Sequence, residues 1–141
     1  MKFMRLLMLW GVCVLPLAAS AQWQWVDKDG KRVFSAPLAI GQPAYPTPTG
    51  SYEVIVKIRD PTWVPPNSPW AAGLEPIPPG ASNPLGSRWI GTSAPNIGFH
   101  ATPMDSTVGH AASHGCMRMH RADVERLYDL VRVGTPVDIE V

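Results

Sequence analysis

Cysteine is scarce: the 141 residues hold two, Cys13 and Cys116. That excludes a disulfide-stapled scaffold. There is no C-x-x-C pair, so a thiol redox protein would need a partner thiol. Charge is thin as well, at 16% of residues. No run of like charges marks a disordered tail, and no basic patch marks a nucleic-acid surface. No apolar run reaches the roughly 20 residues of a membrane span. Helical periodicity is also rare, and a single segment carries it.

What is present begins with a leader. Lys2 and Arg5 precede an almost wholly apolar run from Leu6 to Ala18, and Ala19-Ser20-Ala21 is a small-x-small cleavage site before Gln22. That is the layout of a secretory signal peptide over residues 1–21, with a mature domain over 22–141 and no membrane span after cleavage. The mature part is about one domain in size and long enough to bury a core. Loss of Lys2 and Arg5 leaves ten basic against eleven acidic residues. Loss of Cys13 leaves Cys116 as the only thiol. In an oxidising compartment a lone thiol is a liability. Its bland reading is a small buried hydrophobe, and its neighbours argue against that.

Sixteen prolines and twelve glycines cut the chain into short segments. This favours short strands and loops over a helical bundle. Trp23 to Val26 and Arg32 to Phe34 flank Asp27-Lys28-Asp29-Gly30, a hairpin-turn sequence. Ser51 to Ile58 reads as the clearest strand, with Tyr52, Val54, Val56 and Ile58 on one face and Ile55 as the exception. Asp60 to Leu85 is a proline-rich loop carrying Trp63 and Trp70. Loops of that length tend to be lids, binding loops or disordered segments. Trp89 to Ile90 and Ile97 to Phe99 are candidate short strands. Val124, Leu127, Tyr128 and Val131 fall at helical spacing, giving one helix from about Arg121 to Val131 before Gly134 and Pro136. Val137, Ile139 and Val141 alternate as a terminal strand. The expectation is one mostly β domain with one short helix near its C-terminus.

The chemistry concentrates in residues 97–119, IGFHATPMDSTVGHAASHGCMRM. A thiolate is the attacking species, and a free thiol is mostly protonated at neutral pH. A nearby imidazole can take its proton and hold an ion pair. His100 and His114 are both candidates. On a strand, His114 would point the same way as Cys116. Gly115 permits close backbone approach, and N–H groups around Gly115 and Cys116 would make an oxyanion hole. Arg118 adds a cation on the cysteine's side if the strand continues. Ser113 and Thr102 read as local hydrogen-bonding groups. His110 and His120 read as ordinary surface residues, since their spacing with His114 and Cys116 matches no common zinc pattern.

These residues resemble the L,D-transpeptidase catalytic-domain (YkuD-like) family. The likeness rests on His100-Ala101-Thr102 followed by Ser113-His114-Gly115-Cys116-Met117-Arg118-Met119. It extends to Thr47-Pro48-Thr49-Gly50, to Pro61-Thr62-Trp63-Val64-Pro65-Pro66, to Asn83-Pro84-Leu85-Gly86 and to Asp129 through Val137, covering roughly residues 31–141. Ala101 stands where the family often has glycine, and the N-terminal strands look short. The resemblance implies a single β-sandwich domain. It implies Cys116 as nucleophile, His100 as base, and His114 orienting the site. Ser113, Gly115, Arg118, Thr102 and Trp63 would shape the substrate and oxyanion region.

The implied reaction is acyl transfer on peptidoglycan stem peptides in the periplasm or outside the cell. Carbapenem-type β-lactams would be covalent inhibitors, and no metal or organic cofactor is implied. Water as acceptor would make the enzyme an L,D-carboxypeptidase or amidase. A non-catalytic wall-binding module is the rival from another class, and intact His100, His114 and Cys116 argue against it.

Overall fold

The computed structural model of the chain describes residues 3–8, 21–26 and 29–140. It is built mostly of strands, with one α-helix, as the sequence predicts. The strands are β1 (Phe3–Met8), β2 (Ala21–Val26), β3 (Arg32–Pro37), β4 (Ile40–Gly41), β5 (Gly50–Arg59), β6 (Arg88–Thr92), β7 (Gly98–Ala101), β8 (Ala111–Ser113), β9 (Met117–Met119) and β10 (Pro136–Ile139). Eight of them form one sheet in the order β3-β2-β1-β10-β5-β6-β7-β9, and β4 pairs with β8 separately. Residues 1–2, 9–20, 27–28 and 141 lie outside the described residues, so most of the expected leader, half of the hairpin turn and Val141 of the expected terminal strand do too. Antiparallel pairing of β2 with β3 matches the hairpin reading.

Helix α1 (Arg121–Leu130) buries Val124 and Leu127. Burying two such side chains is worth about 1.5–3 kcal/mol each. It ends one residue earlier than its periodicity predicts. Val131 is extended, and its N–H still bonds to the Leu127 carbonyl. The Lys57 ammonium donates to the Val131 carbonyl at 2.8 Å, covering the helix C-terminus with a cation. Beneath the helix, Leu38, Val54, Ile90, Phe99, Met117, Met119, Val137 and Ile139 complete the core.

The long strand β5 departs from simple alternation. Its register with β6 shifts between Val54 and Val56. Val54 packs in the core, Lys57 reaches the end of α1, and Ile58 lines a cleft on the opposite face. The single face expected for Tyr52, Val54, Val56 and Ile58 is therefore broken by a bulge at Ile55, which inverts alternation for the rest of the strand. That inversion sends Ile58 toward the candidate site.

The proline-rich loop is ordered. Trp63 and Ile77 exchange backbone hydrogen bonds at 2.8 and 2.9 Å. The buried Asn83 amide donates to the carbonyls of Pro61, Ile77 and Pro78, and its oxygen accepts the Leu85 N–H. One side chain thus ties both ends of the loop together.

Candidate active site

Strand register assembles the site. Ile58 lies opposite Trp89, Trp89 opposite His100, and His100 opposite Arg118. These four side chains form one cross-strand row, and all line a cleft of about 770 Å³. The neighbouring row, Lys57, Ile90, Phe99 and Met117, turns to the face that carries the core and α1. Cys116 enters β9 two residues before Arg118 and lines the same cleft with Ser113, His114, Trp63 and Trp70.

Two hydroxyls lock the turn that presents the thiol. Ser113 Oγ donates to the Cys116 carbonyl at 2.5 Å and accepts the Gly115 N–H at 3.1 Å. Thr47 Oγ1 donates to the Gly115 carbonyl at 2.7 Å and accepts the Gly41 N–H at 2.8 Å. Gly115 has φ +113°, and a Cβ there would meet Ile97 Cδ1 at 2.8 Å. Glycine is required by both conformation and space. The Gly115 N–H, one of the two groups expected to bind an oxyanion, donates to Ser113 Oγ instead.

His100 is buried and its Nδ1 faces the Ala101 carbonyl at 2.5 Å. A carbonyl only accepts, so Nδ1 carries the proton and Nε2 the lone pair. Burial pushes the imidazole down to about 4. The carbonyls of Ala101 and Pro84 oppose that fall and the Arg118 cation adds to it. Burial pushes the Cys116 thiol up, while a Gly98 backbone hydrogen bond and Arg118 pull it down. Both groups therefore rest neutral. The Cys116 thiol donates to the Asn96 carbonyl at 3.3 Å. The resting site is a thiol and an imidazole, not the ion pair that the sequence allows.

His114 is exposed. Its ring stacks on Trp70 at 4.1 Å and 17°, and tilts against Tyr45 at 4.8 Å. Thr102 lines a neighbouring cleft of about 370 Å³ instead, where its Oγ1 accepts the Met104 N–H at 3.1 Å. The sequence reading missed Tyr45, Ile58, Trp89 and Asn96 as lining residues. Asn96 carries a signal in hindsight: it sits at φ +59° after Ala94-Pro95, a turn position that asparagine tolerates. His120 pairs with Asp105 at 2.9 Å, and neither residue lines the cleft that holds the thiol.

The family model for the L,D-transpeptidase catalytic domain (YkuD) matches residues 17–139. A Bacillus subtilis (strain 168) relative bearing the name L,D-transpeptidase YqjB is 36% identical over 117 residues, which is 79% of this chain and 61% of the relative. The chain thus spans roughly half to three-fifths of the curated relatives it matches. The solved catalytic domain of an E. faecium L,D-transpeptidase superposes with a TM-score of 0.65 at 25% identity, covering 86% of this chain and 90% of that one. L,D-transpeptidase 3 from Mycobacterium tuberculosis, solved in complex with a faropenem-derived adduct, gives a TM-score of 0.66 at 23% identity and covers 85% of this chain and 56% of that one. With the family model spanning most of its length, this chain belongs to the L,D-transpeptidase catalytic-domain (YkuD) family.

Proposed function

We propose that the chain is a cysteine acyltransferase acting on peptidoglycan stem peptides, with Cys116 as nucleophile and His100 as general base. The observation that carries this reading is the shared cleft. A turn locked by Ser113 and Thr47 presents the only described thiol to the same cleft that a buried imidazole of fixed tautomer lines.

The first half-reaction breaks the amide after an L-centre. His100 Nε2 takes the thiol proton as sulfur adds to the carbonyl carbon, and the Cys116 N–H receives the developing oxyanion. The C–N bond then breaks. The leaving amine takes the proton from His100, and the acyl group stays on sulfur as a thioester. In the second half, an acceptor amine adds to the thioester and loses a proton to His100. That proton passes to the expelled thiolate. One amide is broken and one is made, and no redox step occurs. A neutral resting pair suits this sequence, because the imidazole is already in its basic form.

His114 acts on the lid and not on His100. The Ala101 carbonyl fixes His100, while the His114 ring holds Trp70. Trp63 and Trp70 form the wall that faces the donor. Arg118 is the cation of the cleft. The leader over residues 1–21 would carry the protein to the periplasm or beyond, where the wall substrate lies. β-Lactams of the kind that label the M. tuberculosis fold relative would acylate Cys116 by the same first half-reaction.

The test is incubation of the purified protein with muropeptides and mass measurement of the products. A dimer with loss of a terminal D-residue supports transfer, whereas a shortened monomer alone assigns water as the acceptor. Cys116→Ala should abolish both products and any carbapenem mass adduct. An adduct on the alanine variant places the nucleophile elsewhere.

A further inference from the structure

The turn that carries the nucleophile is held along one side by a single loop. Residues 42–47 fold back on β4 so closely that a Cβ on Gly41 would run into the Tyr45 carbonyl and the Thr47 backbone nitrogen. Three consecutive residues of the turn each meet one residue of that loop. The Gln42 N–H donates to the Ser113 carbonyl at 2.9 Å. The Tyr45 ring tilts against the His114 ring at 4.8 Å. Thr47 Oγ1 donates to the Gly115 carbonyl at 2.7 Å. Thr47 is buried, and its hydroxyl also accepts the Gly41 N–H at 2.8 Å.

The third contact acts beyond the residue it touches. The Gly115 carbonyl and the Cys116 N–H belong to one planar trans peptide, so they point in opposite directions. A hydrogen bond that fixes this carbonyl also fixes this N–H. Ser113 does not do so. It holds the Gly115 N–H and the Cys116 carbonyl, which belong to the peptides on either side. Neither Thr47 nor Gly115 lines the cleft, whereas Cys116 does. A carbonyl drawn toward Thr47 therefore turns the N–H of the same peptide away from Thr47. Gly115 lacks a side chain that would restrain that peptide, so its direction has to come from a partner. The run from Gly41 N–H through the Thr47 hydroxyl to the Gly115 carbonyl also polarises the peptide, which strengthens its N–H as a donor.

We propose that Thr47 is a positioning residue that aims the Cys116 N–H at the developing oxyanion, acting through the Gly115–Cys116 peptide and not through the thiol. The inference rests on the acyl-transfer reading above and deepens it at one atom. The thiol has a hold of its own, the Asn96 carbonyl at 3.3 Å. Sulfur and amide of the same residue are thus set by different parts of the chain.

The experiment compares two reactions of that sulfur on the whole chain. Acylation by a carbapenem adds sulfur to a carbonyl and develops an oxyanion. Alkylation by iodoacetamide displaces iodide from carbon and develops none. Intact-mass spectrometry follows both adducts over time. Thr47→Val keeps the side chain's shape and removes its hydroxyl. It should slow acylation by about 10- to 100-fold, the scale of an oxyanion donor misplaced and not deleted. The alkylation rate, and its dependence on pH, should stay as in the wild type. Thr47→Ser returns the hydroxyl and should recover most of the acylation rate. Thr47→Ala leaves room for water to cover the two groups that lose their partner. It should show the same split at smaller size, and it serves as the test where the valine variant does not fold.

Unchanged acylation in the folded variant that lacks the hydroxyl overturns the proposal. So does alkylation that falls in step with acylation, which would assign Thr47 to the thiol or to the fold. A serine variant as slow as the one without a hydroxyl overturns it too. The wider reading fails in a different way. A wild-type protein that is alkylated at Cys116 yet takes no carbapenem adduct removes the acyl-transfer reading, and this inference with it.

Discussion

At the scale of single residues, the structure changes the protonation state of the site. Cys116 and His100 are drawn toward their neutral forms by burial. Alkylation of Cys116 by iodoacetamide should therefore rise with pH through the alkaline range, with no plateau at low pH. A rate plateau below pH 7 would show a preformed ion pair and contradict this picture. His100 also links stability to pH. Its folded pKa is about 4 against an ordinary 6.5, so the unfolded chain takes up the proton first. The stabilising term is complete above pH 6.5 and is lost as pH falls through the window down to about 4. The slope is about 1.4 kcal/mol per pH unit, roughly 3 kcal/mol over the window. His100→Gln should flatten that part of a denaturant-midpoint profile while keeping a donor for the Ala101 carbonyl. An unchanged acid slope would assign the loss to other groups. Cys116, His100 and His114 stood out in the sequence because cysteine and histidine carry nucleophilic and acid–base chemistry in their side chains. The carbonyls that hold them, those of Ala101 and Asn96, did not, because they act through backbone atoms that residue types do not disclose.

At the scale of elements, the proline-rich loop combines a scaffold part and a working part. Asn83 belongs to the scaffold, being buried and satisfying three carbonyls. Asn83→Ala leaves the buried Pro61 carbonyl without this donor, since the Ile77 carbonyl keeps the Trp63 N–H, and a buried orphan costs about 1–3 kcal/mol. The variant should melt markedly earlier. Trp70 belongs to the part that lines the cleft, which we propose faces the donor. It sits on a short 3-10 turn, Pro69–Ala71, and is half-exposed against the His114 ring. A ring pair of this kind is worth about 0.5–1.5 kcal/mol. Trp70→Ala should lower donor kcat/KM several-fold and shift the melting temperature little. A variant that melts early yet turns over normally when folded would make Trp70 scaffold and remove the lid reading. The sequence disclosed the loop and its tryptophans through proline and aromatic content. It did not disclose the bulge in β5, because a run of apolar residues alternates equally well with or without one inserted residue. The short pairs β4 and β8 were hidden for a related reason: two or three residues carry no period.

At the scale of the whole molecule, the question is what the first 21 residues do. The structure sets β1 (Phe3–Met8) between β2 and β10, parallel to β10 over Met4 to Leu6 and antiparallel to β2. The leader reading removes β1 in the mature protein. These are compatible only if the site survives the loss, and the strand order argues that it does. Every side chain of the cross-strand row that lines the cleft stands on β5, β6, β7 or β9, and β10 keeps β5 as its other neighbour. Cleavage after Ala21 would therefore strip one edge from β10 and leave the row and α1 untouched. It would also expose that edge, which is a liability for any sheet. The hairpin of β2 and β3 is the nearest element able to cover it, and it begins where the leader ends. The expected outcome is that protein exported by a bacterial host starts at Gln22 on N-terminal sequencing. A chain of residues 22–141 should fold and take a carbapenem adduct at Cys116 as readily as the full chain. An exported protein that starts at Met1 would sink the leader reading. A 22–141 chain that stays unfolded would show that β1 is a permanent strand of the domain, and that export, if it occurs, must use another signal.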